Sequence, residues 1–151
     1  MKKLIDLISE EVTKAFVEEG YDEKYGKATL SNRPDLCEYQ CNGAMSAAKE
    51  YKCAPFMISD KIAARLSDNA MFSMVESVKP GFLNLKLNPE YLAGYLNDMQ
   101  KEEGRFGCDK VANPKTIIID YGGPNVAKPL HVGHLRSAVI GESVKRLGKY
   151  M

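Results

Sequence analysis

Residues 129–143, PLHVGHLRSAVIGES, hold both histidines of the chain, His131 and His134, with Gly133 between them. Three residues apart, the two imidazoles share one face if the segment is helical. A helix starting near His131 places them in its first turn. There, free backbone N–H groups and the positive end of the helix dipole attract anions, phosphates above all. Imidazoles so placed can donate to phosphate oxygens and stabilise charge that develops on a phosphoryl centre. Gly133 leaves room for a flat base or ribose against the backbone, and Lys128 adds a point charge at the same mouth. The set suits adenylyl transfer, in which a carboxylate attacks the α-phosphate of ATP and pyrophosphate leaves. A metal site is the competing chemistry for an HxxH pair, but it lacks a third ligand nearby and the glutamate of HExxH. No structural metal is expected.

The elements that must position these residues follow from the patterning. TIIID, residues 116–120, is a short β-branched apolar run, as expected of a strand buried on both faces in a parallel sheet. The loop YGGPNVAKP follows, and from His131 a helix carrying Leu135, Ala138, Val139 and Leu147 runs onward. Strand, glycine-containing loop and helix make the first half of a nucleotide-binding βαβ unit. Upstream, Leu4, Leu7, Ile8, Val12, Ala15 and Phe16 recur at helical spacing over residues 3–18. Residues 36–41 alternate as a strand, and residues 43–51 look helical. Pro55 opens another helix with Ile58, Ile62, Ala63 and Leu66. Residues 72–78 read as a strand, residues 79–81 as a turn. The next strand, FLNLKL at 82–87, puts Leu83, Leu85 and Leu87 on one face and Phe82, Asn84 and Lys86 on the other. Asn88-Pro89-Glu90 is a helix start, and Leu92, Leu96 and Met99 supply that helix with an apolar stripe.

Bulk properties bound the partners. The chain has 151 residues, 44% hydrophobic and 27% charged, and a formal net charge of +1. Residues 105–151 carry 8 Lys+Arg against 3 Asp+Glu, whereas residues 1–104 carry 13 against 17. The first segment therefore lacks the broad basic footprint of a protein that grips nucleic acid unaided. No apolar run approaches the ~20 residues that span a bilayer, and Asp6, Glu10 and Glu11 interrupt any signal-peptide core. Cys37, Cys41, Cys53 and Cys108 form no CxxC pair and are expected as free thiols. A cytoplasmic location without membrane contact is the expectation.

The second face of the 82–87 strand carries a stacking surface (Phe82), a base-edge reader (Asn84) and a cation (Lys86). RNA-binding sheets use that combination on unpaired bases. Gln40 and Asn42 would also point outward, away from Cys41. The same pattern is met by a sheet face covered with a helix, or by a plain polar face, so both readings stay open from spacing alone.

The longer string IIIDYGGPNVAKPLHVGHLRSAVIGES resembles the opening of the catalytic domain of arginyl-tRNA synthetases, class I enzymes whose "HIGH" signature is HVGH here. EYQCNGAMSAAK and KPGFLNLKL resemble the amino-terminal additional domain of the same family. The resemblance implies an α/β (α+β) organisation: a small amino-terminal domain of antiparallel sheet packed with helices over residues 1–107, a linker at 108–114, and the first strand–loop–helix of a Rossmann-like catalytic domain over 115–151. It implies ATP contacts for His131, Gly133 and His134, with Lys128 aiding the phosphates. It also implies arginine contacts for Asn125 and Asp120, whose carboxylate would match the guanidinium fork. Gly123 stands where the family commonly has serine, so one hydroxyl contact to arginine is missing. The additional domain implies contact with the tRNA elbow, a D-loop base being read through Phe82 and Asn84.

The implied partners are arginine-specific tRNA, L-arginine and ATP, the last used as a substrate with Mg²⁺. The second, lysine-rich signature of class I enzymes does not occur in these 151 residues. The expectation is an amino-terminal fragment, inactive alone, whose 116–120 strand is left as an edge that could pair across a dimer. A standalone tRNA-binding module is the alternative, and a small HxGH nucleotidyltransferase is a third.

Overall fold

A computed structural model describes residues 1–101, 104–123 and 128–151. Residues 2–101 form one compact unit, and the described part of residues 102–151, with Met1, forms another. In the first unit, helix α1 (Leu4–Glu18) is followed by a single 3₁₀ turn at Glu23–Tyr25 and strands β1 (Ala28–Leu30) and β2 (Tyr39–Cys41). Helices α2 (Gly43–Tyr51) and α3 (Pro55–Leu66) come next, then β3 (Phe72–Val78), β4 (Phe82–Leu87) and α4 (Pro89–Lys101). The strands form one antiparallel sheet in the order β1-β2-β4-β3.

The alternation along β4 decides which side of the sheet is dry. Leu83, Leu85 and Leu87 are buried with Ile8, Val12 and Phe16 of α1, Ala44, Ala47 and Ala48 of α2, and Ile58, Ile62 and Leu66 of α3. Because successive strand side chains point to opposite faces, Phe82, Asn84 and Lys86 are left on the face away from this core. Pro55 is at the head of α3, where its missing N–H costs nothing. Asn88 caps α4 by accepting the Glu90 N–H at 3.0 Å.

Three expectations are corrected. Residues 36–38 are not strand: Leu36 and Cys37 both donate to the Arg33 carbonyl, so the turn begun at Arg33-Pro34 runs on, and β2 starts only at Tyr39. In α4, Leu92 and Met99 are half-buried and Leu96 is 52% exposed. The inward line passes instead through Tyr91, which packs on the core, and Tyr95, whose hydroxyl donates to the Lys2 carbonyl at 3.0 Å. The two tyrosines, four residues apart, rotate the helix away from the leucine line. Finally, residues 116–120 make no strand, and Ile118 is 92% exposed. A β-branched run needs a ladder partner to become a strand, and among the described residues none lies beside it. β1 was not expected; three residues are too few to show a period.

In the second unit, α5 (Val132–Tyr150) is the only regular element among the described residues, and Gly141 is its one buried residue.

Leu85 and Leu96 should respond differently to truncation. Leu85→Ala, deleting a fully buried side chain from the central strand, should lower stability by about 2–5 kcal/mol. Leu96→Ala should change it by less than about 0.5 kcal/mol. Urea unfolding followed by circular dichroism measures both.

Candidate functional site

The start of α5 has N–H groups with no intrahelical partner, and something must accept them. His131, extended at φ −137° and ψ 175°, is the capping residue. Its Nδ1 accepts the Gly133 N–H at 3.1 Å. His134 Nδ1 in turn accepts the His131 N–H at 3.2 Å, which closes a reciprocal capping box. The ring centroids are 4.2 Å apart. A neutral imidazole donates from one nitrogen and accepts at the other. With both Nδ1 atoms accepting, each ring carries its proton on Nε2. Two adjacent N–H donors are thus held at the positive end of a 19-residue helix.

Gly133 has a tighter reason than room for a ligand. A Cβ there would lie 2.9 Å from His131 Cε1 and 3.0 Å from its Nδ1. The cap itself needs the glycine.

Tyr121, ahead of the helix, makes a contact that sequence reading missed. The Tyr121 ring lies so close to Gly141 that a Cβ there would stand 2.1 Å from its Cγ. The Tyr121 hydroxyl donates to Glu142 at 2.5 Å, and Glu142 also meets Lys145 at 2.5 Å and Arg146 at 2.9 Å. The Lys145 ammonium, then the Tyr121 hydroxyl and the Arg146 guanidinium, hold the Glu142 carboxyl down to about 2 from an ordinary 4.5. The available signal was a glycine in mid-helix followed by a glutamate with basic residues three and four positions on.

Tyr121, Gly122, Gly123, His131, Gly133, His134 and Ser137 are among the residues lining a cleft of 770 Å³, within the size range of small-molecule sites. His131, His134, Gly133 and Gly123 are therefore brought together. Asp120 and Lys128 are exposed and do not line the cleft. Asn125 lies outside the described residues. Among the described residues, no group of three His, Cys, Asp or Glu side chains is placed to hold a metal ion.

The other candidate residues lie in the first unit. Phe82 and Lys86 are half-buried on the outer face of β4. Asn84 is only 5% exposed, so this face of β4 is covered at its centre. It stands on a central strand, facing Gln40 on β2 and Glu76 on β3, and the Gln40 amide donates to its Oδ1 at 2.9 Å. Gln40 is half-buried on the same face; Asn42 has left the strand and precedes α2.

Comparison with known proteins adds to this geometry. "Arginyl tRNA synthetase N terminal domain" matches residues 2–87, and "tRNA synthetases class I (R), catalytic domain" matches residues 96–151. The chain belongs to the arginyl-tRNA synthetase family. It is 76% identical to the arginine–tRNA ligase of Agathobacter rectalis over all of its own length and 25% of that protein's. With the arginine–tRNA ligase of Alkaliphilus oremlandii the identity is 50%, over all of this chain and 26% of the relative. The chain thus spans about a quarter of the length of these curated synthetases. Among solved structures it is similar to the arginyl-tRNA synthetase of Plasmodium falciparum, with TM-score 0.53 and 25% identity over 97% of this chain and 28% of that one. The Thermus thermophilus arginyl-tRNA synthetase has TM-score 0.52 and 23% identity over 98% and 24%, a likeness of fold. No helix among the described residues is long and apolar enough to cross a membrane.

The Glu142 cluster predicts a pH response. Its folded-state value lies below the ordinary one, so its contribution to stability is present above about pH 4.5 and lost as pH falls through about 2. A carboxyl ¹³C titration should place the Glu142 midpoint near 2, and Lys145→Met should move it toward 4.5.

Proposed function

We propose that this chain supplies the HVGH half of the ATP site and the tRNA-elbow contact of an arginine–tRNA ligase. The observation that carries the first part is the reciprocal cap at the head of α5, which engages Nδ1 of both His131 and His134 on the wall of a cleft. The arginine carboxylate attacks the α-phosphorus of ATP, the bond to the β-phosphate oxygen breaks, and pyrophosphate leaves with the negative charge. Donors that are already oriented stabilise that charge without reorganising. His131 and His134 do so here, Lys128 supports the phosphates, and Gly133 keeps the backbone accessible beside them. Asp120, Asn125 and Gly123 hold arginine. The activated arginine then passes to the 3′ end of its tRNA.

Mg²⁺ supplies charge neutralisation on the triphosphate when bound. The described residues of the cleft present N–H donors, which suit phosphate oxygens rather than a cation. Phe82, Asn84 and Lys86, with Gln40 and Asn42 beside them, form the tRNA-facing patch. Four free thiols favour the reducing cytoplasm as its location. The exposed 116–120 run is where a second copy would pair.

Two experiments test this reading. These 151 residues lack the lysine-rich second signature, so incubated alone with arginine and ATP they should show no pyrophosphate exchange above background; exchange would contradict the division of labour. Grafted in place of the first quarter of the 76% identical relative, the segment should support arginine-dependent exchange. His134→Ala in the graft should cut kcat by about 10²–10³-fold, as loss of an oriented donor does elsewhere, with tRNA affinity unchanged. An unaltered kcat would refute the phosphate role.

A further inference from the structure

On the outer sheet face one row of side chains crosses all four strands: Thr29, Gln40, Asn84 and Glu76 occupy facing register positions. At its centre the Gln40 amide donates to Asn84 Oδ1 at 2.9 Å. A carboxamide has a donor end and an acceptor end. Two amides bonded end to end leave one free donor end and one free acceptor end, and neither can turn over alone. Rotating the Asn84 amide by itself would set NH₂ against NH₂. Asn84 is buried, so losing that bond would leave its oxygen without a partner at a site where such losses are costly. On the Gln40 side, the Thr29 hydroxyl donates to the backbone carbonyl of Gln40 at 3.2 Å, which ties β1 to β2 beside the row.

We propose that Gln40 is a positioning residue: it fixes the Asn84 amide so that its NH₂, and not its oxygen, is offered to an unpaired base stacked on Phe82. The base must then present an acceptor to Asn84. This rests on the reading that the face binds tRNA, and it adds something that reading does not contain. Gln40 acts through Asn84 and not as an independent contact.

The test is a double-mutant cycle on the 151-residue chain, read as Kd for an arginine-specific tRNA transcript. Asn84→Ala and Gln40→Met should each weaken binding about tenfold. Once Asn84 is alanine, Gln40→Met should have no further effect, because coupled residues are not additive. Gln40→Glu separates positioning from support of the fold. A carboxylate can only accept, so Asn84 keeps a hydrogen bond by turning its NH₂ inward. Tm should hold while binding falls, at 0.5 M as well as 0.1 M salt, where repulsion by the added charge is screened. Additive losses, or wild-type affinity for Gln40→Glu, would overturn the proposal. If Phe82→Ala and Asn84→Ala also leave Kd unchanged, the tRNA reading fails with it. If they weaken binding and the Gln40 variants do not, only the positioning role falls.

Discussion

The site depends on one constraint: the first N–H groups of α5 need acceptors, and imidazole nitrogens provide them. Serine or aspartate would cap a helix as well, but the second oxygen of aspartate can only accept and serine has a single oxygen for both tasks. A neutral imidazole has a nitrogen for each. With Nδ1 engaged by the backbone, Nε2 carries the proton and becomes a donor whose direction is set by the helix. Gly133 follows from the same requirement, since the His131 ring occupies the space a Cβ would take. So does the extended conformation of His131. The residues that begin the helix and the residues that would meet a phosphate are the same atoms used twice.

The sheet face of the first unit works in a similar way. Its inner side is a conventional core: leucines of β4 against aliphatic and aromatic residues of three helices. That core fixes the strand register, and the register puts Gln40 opposite Asn84. Their mutual hydrogen bond satisfies one end of each amide and leaves the other end oriented. In both units, a polar side chain is half engaged by the fold, and that engagement defines what the remaining half can do. The Tyr121–Gly141 contact plays the supporting part for the α5 cleft, holding Tyr121 against the helix while Glu142 anchors the hydroxyl.

Much of this was legible in the residues alone, for identifiable reasons. The α1 and α3 stripes, the β4 alternation and the Asn88 cap are local patterns, and local patterns depend on few distant partners. The helix start at HVGH was legible because the apolar spacing of Leu135, Ala138 and Val139 begins there. What failed was non-local. The 116–120 run has strand propensity, but among the described residues nothing pairs with it, so it stays irregular. The α4 leucine line yielded to two tyrosines, one settled on the core and the other bonded to the Lys2 carbonyl. The burial of Asn84 depended on what stood across from it on two strands, which no single-strand pattern reveals. The Tyr121–Gly141 contact joins residues twenty apart and has no periodicity to betray it.

The most direct measurement is the protonation state of the two histidine rings at neutral pH, read from long-range ¹H–¹⁵N correlation spectra of the labelled chain. In the neutral form, both His131 and His134 should carry the proton on Nε2, with Nδ1 showing the shift of an unprotonated acceptor. If either ring carries its proton on Nδ1, that nitrogen cannot accept from the backbone. The reciprocal cap would then be absent, and the oriented donors at the head of α5 would have no structural basis.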